Sequence, residues 1–390
     1  MMRFPHTIKK QSGSVRQQSW FPTVLSGLIL ALAGLGDTLL YPTLPLFAAE
    51  LSVPLLWVGV LLSINKWIRL GGNHALALAI SRLGYKRVAT LGVLLAAAST
   101  LAYGINLPLW LWLISRIAWG MAFAALRLCA LGYATSGKKQ GLHLGINKAV
   151  KALGPMSALF IGPVLITQLN VHVTFQLFAV VTAFALPLTW LLPDDAEQAK
   201  PKMNGRFSHP TWFDGLIFVV ALADGIMVVT IGLLLLNAGS SEVTILALSA
   251  FFLAIKRLSV MVVGPISGWL ADKWYIGNLF LLSIVGYFMG LILVTVGTAS
   301  TTVTITGITT LFVSTAITQT LAAGVVLDLG TQSKLNALSA LTTWRDLGTA
   351  VGALIGGYLL VVSGPSMVYG ILAILVLALG IKVGRQLFQL

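Results

Sequence analysis

Residues 193–206 read PDDAEQAKPKMNGR, the core of the only sizeable polar linker between long apolar runs in this chain. The linker extends from Pro193 to Thr211. Upstream lie apolar segments 20–48, 53–79, 86–106, 109–136, 140–168 and 172–192. Downstream lie 212–238, 243–272, 276–298, 302–329, 333–362 and 365–387. About 20 mainly apolar residues carry a helix across a bilayer, so each segment is long enough to be a span. Backbone polar groups facing lipid must be paired within the segment, which makes the runs helices. The short alternating strands of a membrane barrel are absent. The expected fold is an all-α membrane protein with twelve transmembrane helices in two six-helix pseudo-symmetric bundles, 20–192 and 212–390. Segment 1–19 and linker 193–211 are expected on the cytoplasmic side.

Composition agrees. The 390 residues are 57% hydrophobic and 9% charged, against about 25% charged in soluble domains. So few charges cannot cover a water-facing surface. The formal net charge of +14 invites a nucleic-acid reading, but the charges form short clusters between apolar runs. The lone cysteine, Cys129, lies in an apolar run and excludes an intramolecular disulfide or a Cys-based metal site. The run after the basic N-terminus is too long for a signal-peptide core of about 7–15 residues.

The basic residues alternate by connection. Arg82, Lys86 and Arg87, then Lys138 and Lys139, then Lys200, Lys202 and Arg206, then Lys273, then Lys334 occupy every second connection. The opposite connections carry only Glu50 and Glu242. By the positive-inside rule both termini are expected in the cytoplasm, as an even number of spans requires.

The halves also repeat. ALAISRLGYKR (Ala77–Arg87) ends span 2, and GWLADKWYIG (Gly268–Gly277) ends span 8. Gly36-Asp37 in span 1 corresponds to Asp224-Gly225 in span 7. KALGPMSALFIGP in span 5 corresponds to RDLGTAVGALIGG in span 11. Parallel repeats of this kind build transporters with the substrate site near mid-membrane between the halves.

At these residues the chain resembles the major facilitator superfamily over nearly its whole length. The family's loop 2–3 signature, roughly G-x-L-A-D-R-x-G-R-K, is matched in part by Arg82, Gly84 and Lys86, with Ser81 at the place of its acid, and again by Gly268, Asp272 and Lys273. A span 4 signature, R-x-x-x-G, matches Arg116 to Gly120. A span 5 antiporter signature is matched by Gly162-Pro163, with Ala158 in place of its first glycine. Ser81 replaces the acid that, in the family, helps lock the two bundles at the cytoplasmic face, while Asp272 keeps it in the second half. The resemblance implies a secondary transporter working by alternating access.

Charges within the spans suggest the substrate. The bases include Lys66, Arg69, Arg116, Arg127, Lys148, Lys151, Lys256, Arg257 and Arg345; the acids include Asp37, Asp224, Asp328 and Asp346. Each costs roughly 2.5–3.5 kcal/mol at a span centre on insertion scales, so a cavity or a partner is expected for each. Asn65, Arg69 and Asn73 recur every four residues on one face of span 2, next to Lys66. A cavity with surplus positive charge favours an anion, and Arg presents a planar fork to carboxylate or phosphate. The expected substrate-binding set is Asn65, Lys66, Arg69, Asn73, Arg116, Lys148, Lys151, Lys256 and Arg345. Asp37, Arg116 and Asp224 are the candidates for proton coupling, with a structural Asp37–Arg116 pair as the rival reading. Asp346, beside Arg345, reads as structural. Trp67 and Trp344 are the aromatics nearest these charges in sequence. The stripes Gly348/Gly352/Gly356 and Gly154/Ala158/Gly162 permit close helix contact.

The expected function is proton-coupled transport of a small organic anion, such as a polycarboxylate, a siderophore-like molecule or a phosphorylated metabolite, across a bacterial inner membrane. Export is favoured; a symport importer and a multidrug or lipid transporter are the alternatives. An enzyme is disfavoured, because His6, His74, His143, His172 and His209 are scattered and form no metal motif. Expected partners are the anion, protons and membrane lipid, without nucleic acid, metal or cofactor, in a monomer.

Overall fold

The structure, a computed structural model, describes residues 20–136, 139–193, 210–237, 242–297, 300–330 and 333–388. The expected segment 1–19, most of the 193–211 linker, and Lys138, His6 and His209 lie outside the described residues. Every regular element among the described residues is a helix.

Thirteen helical elements make up twelve spans. The first half contains α1 (Phe21–Ala33), α2 (Leu35–Leu46), α3 (Leu55–Leu83), α4 (Tyr85–Tyr103), α5 (Leu109–Ala134), α6 (Gln140–Leu169), α7 (Val171–Ala183) and α8 (Ala185–Trp190). The second contains α9 (Trp212–Asn237), α10 (Glu242–Lys273), α11 (Ile276–Val296), α12 (Thr301–Asp328) and α13 (Lys334–Leu387). Span 1 is interrupted at Gly34 and span 6 at Phe184, so each comprises two elements. Spans 11 and 12 meet at Gly364, whose φ of +73° and ψ of 160° turn the backbone between them. Pro187 lies three residues after Phe184 and Pro365 directly follows Gly364, whereas no proline adjoins Gly34. Pro155 and Pro163 both lie inside α6. Gly84, with φ of +89°, ends α3 and begins α4, which explains the glycine in the loop 2–3 signature.

Among the described residues, seven helical stretches are long and apolar enough to cross a membrane by length and composition alone. Neither α3, α10 nor the first part of α13 is among them. These carry Lys66 and Arg69, Lys256 and Arg257, and Arg345 and Asp346. Such polar spans are insulated by neighbours: α3 packs on α5 and α13, α10 on α6 and α12, and the first part of α13 on α9 and α3.

Two seams join the halves, α6 against α10 and α3 against α13. At the first, backbones touch. A Cβ on Gly141 would come within 2.4 Å of the Gly268 carbonyl, and one on Gly145 within 2.4 Å of the Gly264 carbonyl. Only glycine permits that approach. The predicted stripes pack elsewhere, each within its own half. Gly348 and Gly352 abut the α9 backbone at Phe218 and Leu222, and Gly154 abuts α1 at Ala31. Small residues thus serve both contacts, but the sequence-level stripes mark the internal ones.

Candidate functional site

The intramembrane charges gather into three groups. The first is closed within the first half. Arg116 of α5 is fully buried and donates to the Asp37 carboxylate of α2 at 2.6 Å, to the Tyr103 hydroxyl at 3.0 Å and, through Nε, to the Leu61 carbonyl at 2.7 Å. Asn65 adds a weaker bond to Asp37 at 3.4 Å. Lys66 stands 6.0 Å from the centre of the Tyr41 ring, and Tyr41 donates to the Leu62 carbonyl. The rival reading therefore describes the resting contact: Asp37 and Arg116 are paired. Tyr103, stacked on Trp112 at 5.4 Å, completes this group and carried no sequence signal.

The second group sits at the matching place in the other half. Lys256 of α10 donates to Asp224 of α9 at 2.6 Å and lies 5.4 Å from the Phe312 ring centre. Each half thus carries an acid on its first span, neutralised by a base from another.

The third group lies across the seam between halves. Arg127 of α5 grips both oxygens of Asp346 of α13, at 2.8 Å and 2.5 Å. Arg69 of α3 gives the same carboxylate its Nε at 3.2 Å, and Asn73 donates to it at 3.3 Å. Asn73 also donates to Thr343 and accepts from Arg127. The 3.6-residue period of α3 delivers Arg69 and Asn73 to one face, as their spacing predicts. At 1.5 Å per residue, Arg69 lies about 21 Å from either end of α3 and Asp346 about 18 Å from the start of α13, well inside their spans.

Beside this group the balance is strongly positive. Lys148 and Lys151 of α6 lie within electrostatic reach of Arg345, and Lys151 also of Arg127 and Arg257. Lys148 is only 8% exposed and its Nζ has no hydrogen-bond partner. Among the described residues, neither Lys151 nor the Arg345 side chain makes a hydrogen bond or ion pair, and Arg345 lines a small cavity beside α9 and α12 with Thr318 and Gln319. Arg69 and Arg127 contact Asp346, Lys151 and Arg345 lie within its electrostatic reach, and Lys148 stands beside Lys151 and Arg345 rather than beside the acid. Of the two predicted aromatics, Trp344 packs edge-on against Phe218 and Trp67 is 42% exposed.

The Lys/Arg-rich end is sealed. Asp272 accepts from the backbone N–H groups of Gly141 at 3.0 Å and Leu142 at 2.9 Å, so an acid of the second half caps α6 of the first. Lys273 lies over the Trp269 ring at 3.8 Å. In the first half Ser81 bonds only within its own helix, to Leu78. Arg82 is exposed and Lys86 half-buried. The first-half contact comes instead from Lys334, which reaches from the start of α13 to the Gly132 carbonyl at 3.0 Å and Ser136 at 3.2 Å near the end of α5. A cation at a helix C-terminus is well placed. Its role was not readable from the sequence, because Lys334 looked like one more orienting charge. Gly162 of α6 packs on Leu39, and Pro163 follows it.

Residues 27–343 match the model of the Major Facilitator Superfamily. The chain belongs to that superfamily. Among solved structures, the Escherichia coli fucose:proton symporter covers 98% of its own length and 94% of this chain at 14% identity, with a TM-score of 0.72. A superfamily transporter of the same name in the outward conformation gives a TM-score of 0.75 at 13% identity over 94% of this chain and 97% of its own. The human organic anion transporter MFSD10 gives 0.67 at 16% identity, over 93% of this chain and 98% of its own. No curated protein is a significant sequence match. The likeness to these superfamily structures is one of fold. Membership of the superfamily makes this chain a multi-pass membrane transporter.

Proposed function

We propose that this transporter carries a small organic anion through a site between its two halves, by alternating access. The observation that carries this reading is the surplus of bases beside the Asp346 group, where Lys148, Lys151 and Arg345 have no carboxylate of their own among the described residues and the buried Lys148 Nζ has no hydrogen-bond partner. Buried ammonium groups are costly without a counter-charge, and a bound anion supplies one. The substrate set narrows to Arg69, Asn73, Lys148, Lys151 and Arg345. Arg116 and Lys256 are engaged by Asp37 and Asp224 and act on those acids rather than on substrate. Lys66 and Asn65 border the Asp37 group.

Proton coupling runs through Asp37. Its side chain is 17% exposed while its partner Arg116 is fully enclosed, so the carboxylate is the member a proton can reach. Protonation would weaken the pair and free α2 to shift against α5. The sealed Lys/Arg-rich end is one of the two states that alternating access requires. By the charge rule that end is cytoplasmic, and the membrane of this proposal is a bacterial inner membrane. Export remains the favoured direction, on the partial span 5 signature.

The test is uptake into proteoliposomes of the purified chain, driven by a pH gradient, with labelled di- and tricarboxylates and sugar phosphates. At least one anion is expected to accumulate, and Lys148→Gln is expected to reduce its uptake at least tenfold while insertion is unchanged. Accumulation of neutral sugars alone would sink the reading.

A further inference from the structure

The carboxylate of Asp346 is placed as a ligand would be. It comes from the second half, yet its strongest contacts belong to the first: two oxygens on Arg127, one of them shared with Arg69 Nε and Asn73. Two-point contact between a guanidinium and a carboxylate is the geometry by which arginine recognises that group. The receiving site is not exhausted by Asp346. Arg69 contributes only its Nε, its terminal nitrogens making no hydrogen bond among the described residues, and Arg127 Nε is buried without a partner. Lys148, Lys151 and Arg345 stand nearby without a carboxylate of their own. A single carboxylate therefore ties the two halves together inside a site with capacity for more anion.

We infer that Arg69 and Arg127 form a carboxylate-binding site and that Asp346 is its resident occupant in this closed state, displaced when a carboxylate-bearing substrate enters. This rests on the anion-transport reading and sharpens it: the anionic group is a carboxylate, because a carboxylate already fits the fork. It also links binding to movement. A substrate that takes Arg127 from Asp346 breaks a tie between α5 and α13, so the halves separate only when the site is filled. The exchange leaves the guanidiniums neutralised throughout, which avoids the cost of a bare buried charge.

The experiment replaces the occupant. Purified full-length Asp346→Ala in detergent is melted with sodium formate and with sodium chloride at equal ionic strength. Formate is expected to recover at least half of the lost melting temperature and chloride not. Wild type, with its site filled, is expected to respond to neither, and adding Arg127→Gln to Asp346→Ala is expected to abolish the formate effect. If Asp346→Ala does not fold, Asp346→Asn serves: its amide fills the space but carries no charge, so formate should still raise its melting temperature above the chloride control. In proteoliposomes, Asp346→Asn should lower the KM of a transported carboxylate at least tenfold. Equal responses to formate and chloride in both variants, or an unchanged KM, overturn the inference. Formate recovery without carboxylate transport by wild type would instead overturn the transport reading and leave the site standing.

Discussion

At the residue scale, the buried charges divide by what neutralises them. Asp37 and Arg116 neutralise each other deep in the first half, with Tyr103 and the Leu61 carbonyl as further partners. Breaking such a pair strands a charge and costs about 3–5 kcal/mol, whereas removing both partners costs less. Arg116→Gln alone and Asp37→Asn alone should therefore each lower thermal stability more than the double variant does. Additive losses in that cycle would show that the pair does not act as a unit. Asp37→Asn should also flatten the dependence of transport on an imposed pH gradient. A retained pH response would move coupling to another acid, with Asp224 the first to test. The sequence already offered the Asp37–Arg116 pair as a rival reading, because both sit mid-span. It did not offer the grip of Arg127 on Asp346, since the residues are 219 apart and nothing local in Arg345-Asp346 says that the acid turns toward the other half.

At the scale of elements, spacing and composition predicted the helices well and their interruptions poorly. The apolar runs became spans because lipid leaves the backbone no other solution. The breaks fell at Gly34, Phe184 and Gly364, while α6 runs through both of its prolines. Neighbouring helices re-satisfy what proline frees, so proline alone does not locate a break in a membrane helix. The glycine stripe of α13 packs within its half, where Gly352 lies against the Leu222 carbonyl at a distance that admits no side chain. Gly352→Leu should force α9 and α13 apart at a cost of about 1–3 kcal/mol, read as a loss of monodisperse protein in detergent; an unaltered elution profile and melting curve would contradict that packing. Between halves, the cap of Asp272 on α6 contributes about 0.5–2 kcal/mol by analogy with other N-caps. Asp272→Ala should loosen the sealed end. In a Cys129→Ser background, Lys148→Cys should then react several-fold faster with an impermeant thiol reagent applied from the Lys/Arg-rich side. An unchanged labelling rate would mean that α6 and α10 hold the seal without the cap.

At the scale of the whole molecule, the two-fold repeat is asymmetric where it matters. The second half keeps the acid of the loop signature and uses it on α6. The first half has Ser81 there and relies on Lys334 reaching from α13 to α5. Both contacts cross between halves at one end of the molecule, and the Asp346 tie crosses near its centre. The Asp272 cap lies on the α6–α10 seam and the Asp346 tie on the α3–α13 seam, so both contacts between the halves carry charge. The surplus of cations was legible as an excess of bases over acids within the spans. Which bases were left over was not, because pairing is a matter of three-dimensional placement.

The central claim is that this leftover positive charge selects an anion. It is tested most directly by melting the purified wild-type protein against pairs of compounds matched in size and differing in charge, such as gluconate with glucose and a tricarboxylate with its triester. At least one anion should raise the melting temperature in a saturable manner, its neutral counterpart should not, and Lys148→Gln should weaken the effect. Saturable stabilisation by neutral members, with none by any anion, would contradict the account.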